Sequence, residues 1–222
     1  MKRFLISTAL FSLASLTLPA QNSVCNNPDN RAYFGIRVGG EITCPGNMKI
    51  ENVSVDIFKN GGGIEFGGIY NLPVVANFYI EPGLKFYYNT YSVKDDLLIM
   101  DEDFNITDLS VRKFGLRIPV MAGYHFDFTP DIKLSVFTGP EFEIGLSGKG
   151  HVNFDGEKIS ENIYGEDGGM RRFDLLWGVG AGITYQNYYF GVSGGIGMLN
   201  MVDDDYVKFH ENRVTLTLGY NF

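Results

Sequence analysis

The residues most able to do chemistry in this chain are ionic side chains set at even spacing inside apolar runs. Arg37, Lys85, Lys113, Arg117, Lys133, Arg172 and Arg213 supply the positive charge, and Glu41, Glu65, Glu81, Glu141, Glu143 and Asp174 supply the negative. Side chains of both signs on one shared face can neutralise one another as a structural ion-pair network, because an unpaired charge held away from water is costly. The same set could instead line a narrow gated polar path or a proton relay. A hydrolytic site would need a nucleophile, a base and an orienting group within hydrogen-bond reach. The histidines, His125, His151 and His210, are scattered, and Ser147 near His151, with Glu141 or Glu143 upstream, is the nearest approach to such a set. The acidic clusters Asp95-Asp96, Asp101-Glu102-Asp103 and Asp203-Asp204-Asp205 lack the spacing and turn glycine of a calcium loop. The expectation is therefore a non-enzymatic protein with no metal and no cofactor.

The elements that carry these charges are strands. From Arg213 onward, Val214, Leu216, Leu218, Tyr220 and Phe222 share one face, opposite Arg213, Thr215, Thr217, Gly219 and Asn221. The same alternation sets Phe78, Ile80, Leu84, Phe86 and Tyr88 against Tyr79, Glu81, Lys85, Tyr87 and Asn89. It recurs at 113–124, 133–144 and 172–185, and less cleanly at 31–41, 63–70 and 188–199. The total is eight strands. Their connections alternate in length. Short turns are expected around Leu72-Pro73, at Asp127 to Asp131 and at Gln186-Asn187, and long loops at 42–62, 92–110, 148–171 and 200–212. Apolar loop residues such as Met48, Ile50, Val53, Val55, Ile57 and Phe58 could extend the hairpins or meet a partner.

Composition agrees, with 28 Gly, 13 Tyr and 18 Phe in 222 residues, a load that suits strands and turns. The formal net charge of −8 argues against a nucleic-acid partner, which needs a basic face. Met1-Lys2-Arg3, the apolar run Phe4 to Leu18 and the small-residue exit at Ala20 have the three-part layout of a secretory signal peptide. The expected organisation is a signal at 1–20, a periplasmic tail at 21–30 and a barrel at 31–222. Export would allow a disulfide between Cys25 and Cys44, although the two flank the first strand and would start on opposite sides of a membrane.

The volume of an eight-stranded barrel decides which face is outside. Its lumen is only just filled by side chains, and packing the large apolar face inward would overfill it. That face therefore turns to lipid. Its aromatics fall into two groups, Tyr70, Phe78, Tyr124, Tyr185, Tyr188, Tyr220 and Phe222 at one end and Phe86, Tyr88, Phe114, Phe142 and Phe173 at the other, as two membrane interfaces require. The reading is an all-β, eight-stranded antiparallel up-and-down transmembrane β-barrel in an outer membrane, in contact with lipid and lipopolysaccharide, with both termini in the periplasm.

The segments Tyr79-Ile80-Glu81-Pro82-Gly83-Leu84-Lys85, Leu116-Arg117-Ile118-Pro119-Val120, Phe137-Thr138-Gly139-Pro140-Glu141, Gly178-Val179-Gly180-Ala181-Gly182 and Leu218-Gly219-Tyr220-Asn221-Phe222 resemble, in order and spacing, the outer-membrane β-barrel family of Bacteroidetes type that includes PorT-like proteins. The resemblance covers nearly all of 31–222. It implies an outer-membrane barrel in a Gram-negative cell, and for founding members a link to assembly of a secretion system, with envelope or secretion proteins as partners. Tyr220 and the terminal Phe222 resemble the signal read by the barrel-assembly machinery. The expected job is structural or partner-binding through the outer loops, with a secretion-system component or a small gated channel as the alternatives.

Overall fold

The computed structural model describes residues 31–51, 53–94, 106–154, 157–164, 169–204 and 206–222. The proposed signal, the tail with Cys25, and Asp95-Asp96 and Asp101-Glu102-Asp103 lie outside them.

Eight long strands form a closed antiparallel meander: β1 (Tyr33–Pro45), β4 (Gly61–Val75), β5 (Phe78–Ser92), β6 (Ile106–Thr129), β7 (Ile132–Phe154), β9 (Phe173–Tyr185), β10 (Tyr188–Gly197) and β12 (Glu211–Asn221). Each pairs with its neighbours along the chain, β1 closes on β12 and β6 joins β7, so the circuit has no open edge. Closure is what permits strands to cross hydrocarbon, because every backbone polar group finds a partner in the wall. The other elements lie at the outer end. β2 (Met48–Ile50), β3 (Val53–Val55) and β11 (Val207–Lys208) form a three-stranded sheet, and β8 (Glu157–Asn162) pairs with the last residues of β7.

Side chains follow the alternation. In β1 every second residue from Tyr33 to Thr43 is buried and every residue between is exposed. The most buried large side chains are Arg117, Tyr87, Lys113 and Phe209, while Val38, Phe66, Leu216 and Leu218 are more than half exposed. A water-soluble fold inverts that order. Exposing one such apolar side chain to water forfeits roughly 1.5–3 kcal/mol, so this exterior is at rest only in lipid. The aromatic ends are real contacts. Phe78 and Tyr124 lie 4.8 Å apart, Tyr188 and Tyr220 5.4 Å, and Tyr220 and Phe222 5.0 Å. At the outer end Phe66 meets Phe86 at 5.3 Å and Phe142 meets Phe173 at 6.5 Å. Tyr124 and Phe114 are ten residues apart on β6, which at about 3.3 Å per residue and a tilt of about 40° spans about 25 Å, the height of an outer-membrane apolar band.

Three expectations are corrected. The first short turn is not at Leu72-Pro73. β4 continues through Pro73 with a bulge before Val75, and the turn is Ala76-Asn77 with Ala76 at φ 48°. The Gln186-Asn187 turn is where the sequence places it, with Gln186 at φ 55°, as two-residue hairpins need. The outer segments are not simple loops either. β6 and β7 run 24 and 23 residues, about twice what crossing requires, so they rise beyond the membrane as a hairpin that β8 widens. Arg172 is outside β9, exposed at the outer rim, rather than in the lumen.

Candidate functional site: the closed lumen

Arg117 is the hub of the interior. It projects inward from the middle of β6 and is 1% exposed. Its Nη1 donates to Glu41 on β1 at 2.9 Å and to Glu65 on β4 at 2.7 Å, and its Nε and Nη2 donate to Glu143 on β7 at 3.1 and 2.9 Å. The guanidinium also lies over the Tyr87 ring, 4.6 Å from its centre. Three carboxylates from three strands thus converge on one planar cation whose fork of donors suits them. Lys85 adds a bond to Glu65 at 2.7 Å. Arg213 donates to Glu141 and reaches Glu143 at 3.7 Å.

Toward the outer mouth Lys113 pairs with Glu211, which also accepts from the Tyr91 hydroxyl at 2.7 Å. Asp174 accepts from the Leu175 amide at 2.8 Å, with no cation within 4 Å among the described residues. Above this layer Tyr164, Phe209 and Met201 are buried, and Phe58 from the β3–β4 connection packs on Tyr91 and Phe209 at 5.3 and 5.2 Å. Burial pushes the Tyr164 hydroxyl above its ordinary value, and Arg172, bonded to the Gly145 and Leu146 carbonyls, sits 5.0 Å over the ring.

The periplasmic layer is built differently. Arg37 lies 4.1 Å over the Tyr189 ring and meets no carboxylate among the described residues. Tyr79 stacks on His125 at 4.0 Å, and Asn71 donates to Glu81 at 3.2 Å. His125 Nδ1 is 2.8 Å from Ser135 Oγ, and Asn71 Nδ2 is 3.5 Å from His125 Nε2. With Asn71 as donor, Nε2 accepts and Nδ1–H points at Ser135, the reverse of what activates a serine. Lys133 lies at the periplasmic rim, 3.8 Å from Asp127. Ser147 and His151 face out of the wall while Glu141 and Glu143 face in, so the structure does not bring that trio together. Asp203 bonds the exposed Arg171 at 2.9 Å. Cys44 sits at the outer end of β1.

Sequence reasoning missed Glu211, Tyr91 and Tyr164 as lumen contributors, while parity had placed Tyr87 inside. Glu211 was legible, being two residues before Arg213 and hence on its face. The inward glycines also have a purpose beyond space for charges. A Cβ at Gly123 would strike the Tyr79 ring, at Gly182 the Tyr189 ring, and at Gly145 the Tyr164 ring. Small cavities remain between these side chains among the described residues, about 40 Å³ beside Arg37, Lys85 and Arg213 and about 10 Å³ beside Glu41, Asn89 and Asp174. At about 10–15 Å³ per water these have room for no more than a few waters.

A closed eight-strand wall with charges inside and an apolar band outside is the geometry of an outer-membrane barrel, and the profile of the family described as "Outer membrane protein beta-barrel domain" matches residues 20–199. The chain belongs to this family. It is an outer-membrane protein. No curated protein matches it. Among solved structures it is similar to the attachment invasion locus protein Ail of Yersinia pestis in complex with the heparin analogue sucrose octasulfate (15% identity, 86% of this chain and 99% of that one, TM-score 0.43). It is also similar to Neisserial surface protein A (13%, 86% and 99%, TM-score 0.44) and to OprG of Pseudomonas aeruginosa (12%, 86% and 96%, TM-score 0.46). At such identities a likeness speaks to fold alone.

Proposed function

We propose that this protein is a non-enzymatic outer-membrane barrel whose closed lumen is structural and whose outer β6–β7–β8 extension and β2–β3–β11 sheet are the working surface. The carrying observation is the interlocked lumen, in which Arg117 ties β6 to β1, β4 and β7 and only about 40 Å³ stays open beside Lys85 and Arg213. Residues 1–20 act as the export signal and Tyr220 and Phe222 as the assembly signal in this reading, with lipid, lipopolysaccharide and the assembly machinery as its general partners. The decisive experiment is single-channel conductance of the refolded chain with Glu141→Gln and Arg117→Ala variants. Flat traces from a barrel that shows the heat-dependent gel shift are expected. Steady current that changes with either substitution would overturn the proposal.

A small gated channel is the second reading, favoured by Arg213, which borders both cavities and whose swing away from Glu141 would join them. A third role, in assembly of a secretion system, has only the PorT-like resemblance behind it. A deletion strain with normal protein export would dispose of that role.

A further inference from the structure

We propose that Arg112 and Lys149 form a binding site for a phosphate group of the outer-leaflet glycolipid, at the point where the wall leaves the membrane. This inference rests on the membrane-embedded reading of the apolar band. The two residues are direct cross-strand partners on β6 and β7, and both are exposed on the outward face. Facing side chains of this kind start about 5 Å apart at Cβ, and like charges placed there repel. Neither has a carboxylate within 4 Å among the described residues. The exposed cations Lys94 and Arg171, in contrast, each hold one, Asp56 and Asp203.

Their placement comes from a break in the strand. Inward residues of β7 have odd numbers as far as Gly145, and unbroken alternation would put Lys149 inside too. The register with β6 shifts between Phe114 and Gly115, where Phe114 faces Ser147 and Gly115 faces Gly145. Leu146 is the extra residue, and beyond it the odd positions Ser147 and Lys149 turn outward. A bulge re-aims the side chains that follow it, and here it sets a second cation beside Arg112 where a regular strand would leave one.

The height fits one ligand chemistry. Phe114, at the outer aromatic belt, is two residues after Arg112 on the same face, with β6 running inward from its outer end. The pair therefore sits about one outward position above the hydrocarbon edge, at the depth of headgroup phosphates. A phosphate monoester shared between a guanidinium and an ammonium would remove their mutual repulsion and accept charge-assisted hydrogen bonds from both.

The test uses the full mature chain in phosphatidylcholine vesicles doped with bisphosphorylated or dephosphorylated lipid A, with bound glycolipid quantified after extraction. The wild type should retain the phosphorylated form preferentially, and Arg112→Gln with Lys149→Gln should lose that preference by roughly twenty-five-fold, about fivefold for each cation near a charged lipid surface. Arg112→Lys should keep most of it. Equal retention by wild type and double variant, with both barrels folded by gel shift, would overturn the assignment. Displacement of the lipid by millimolar inorganic phosphate would overturn its lipid source and leave a site for a soluble anion. Loss of this preference would leave the closed-lumen reading untouched, since that stands or falls on conductance.

Discussion

Replacing Arg117 by Met tests whether the lumen behaves as a dry, self-neutralised interior. Arg117 holds Glu41, Glu65 and Glu143, but the three carboxylates depend on it unequally. Glu65 keeps Lys85 at 2.7 Å and Glu143 keeps Arg213 at 3.7 Å. Glu41, whose side chain is fully buried, keeps only the Asn89 amide at 3.3 Å. The substitution therefore strands one carboxylate, and stranding a buried charge costs about 3–5 kcal/mol. At about 1–3 kcal/mol per molar of urea, the unfolding midpoint should fall by roughly 1–5 M, about 2 M at the middle of both ranges. Adding Glu41→Gln should recover about half of the loss, because the glutamine needs no cation and retains its bond to Asn89. Glu41→Gln alone should cost about 1–3 kcal/mol, giving a double-mutant cycle with clear coupling. Unfolding from detergent micelles can be followed by the single tryptophan, Trp177, which lies half exposed on the lipid face of β9. An Arg117→Met barrel within about 1 kcal/mol of wild type, or no rescue by Glu41→Gln, would refute the reasoning: solvent would then be screening these charges and the lumen would be wet.

Tyr164 has a hydroxyl raised by burial, so its contribution to the outer plug is intact below about pH 10 and is lost as pH climbs through the raised value; Tyr164→Phe should flatten that alkaline loss of stability, seen as the difference between the two pH–midpoint curves. Tyr220→Ser with Phe222→Ser removes ring contacts to Tyr188 and Phe34, each worth about 1 kcal/mol, and should lower the fraction of heat-modifiable barrel in outer membranes, whereas wild-type levels would deny these residues an assembly role. Cys44 should react with a membrane-impermeant maleimide from outside the cell. Tyr33 to Cys44 spans about 36 Å of strand and the eight residues from Cys25 to Tyr33 reach at most about 29 Å, leaving a gap of about 7 Å that no relaxed disulfide crosses, so a Cys25–Cys44 bond on non-reducing peptide mapping would contradict the register of β1.

The barrel was legible because one signal, period two, carries both the strand and its orientation. From Phe78 to Asn89 and from Arg213 to Phe222 each residue's face is set by its parity once the large apolar side is assigned to lipid. The same parity that placed Arg117, Glu41 and Glu143 inside also placed Tyr79, Tyr87 and Asn89 there, and it would have placed Glu211 had the strand been followed two residues further out. What parity does not report is which inward residues meet. Lys85 faces Arg117 across the β5–β6 ladder yet bonds Glu65 on the next strand, because Arg117 is occupied with three carboxylates and repels a second cation. Arg37 finds a tyrosine face instead of an acid. Those choices depend on shear and tilt around the closed wall, which no single strand encodes.

Parity also fails wherever a strand gains a residue, and these are the places where the structure departs from the sequence reading. The bulge between Pro73 and Val75 carries β4 past the expected turn to Ala76. The one at Leu146 reverses the facing of everything that follows it on β7, so Ser147, Lys149 and His151 leave the lumen side and join the surface. Lipid and assembly constrain the membrane-crossing part tightly, since a one-residue slip there would turn Arg117 or Glu143 toward hydrocarbon. Beyond the outer belt that penalty disappears, and side chains such as Arg112 and Lys149 can be set by what they meet instead of by what they must avoid. The alternating pattern therefore reports insertion, and the residues after the break in that pattern are the ones free to carry a function of their own.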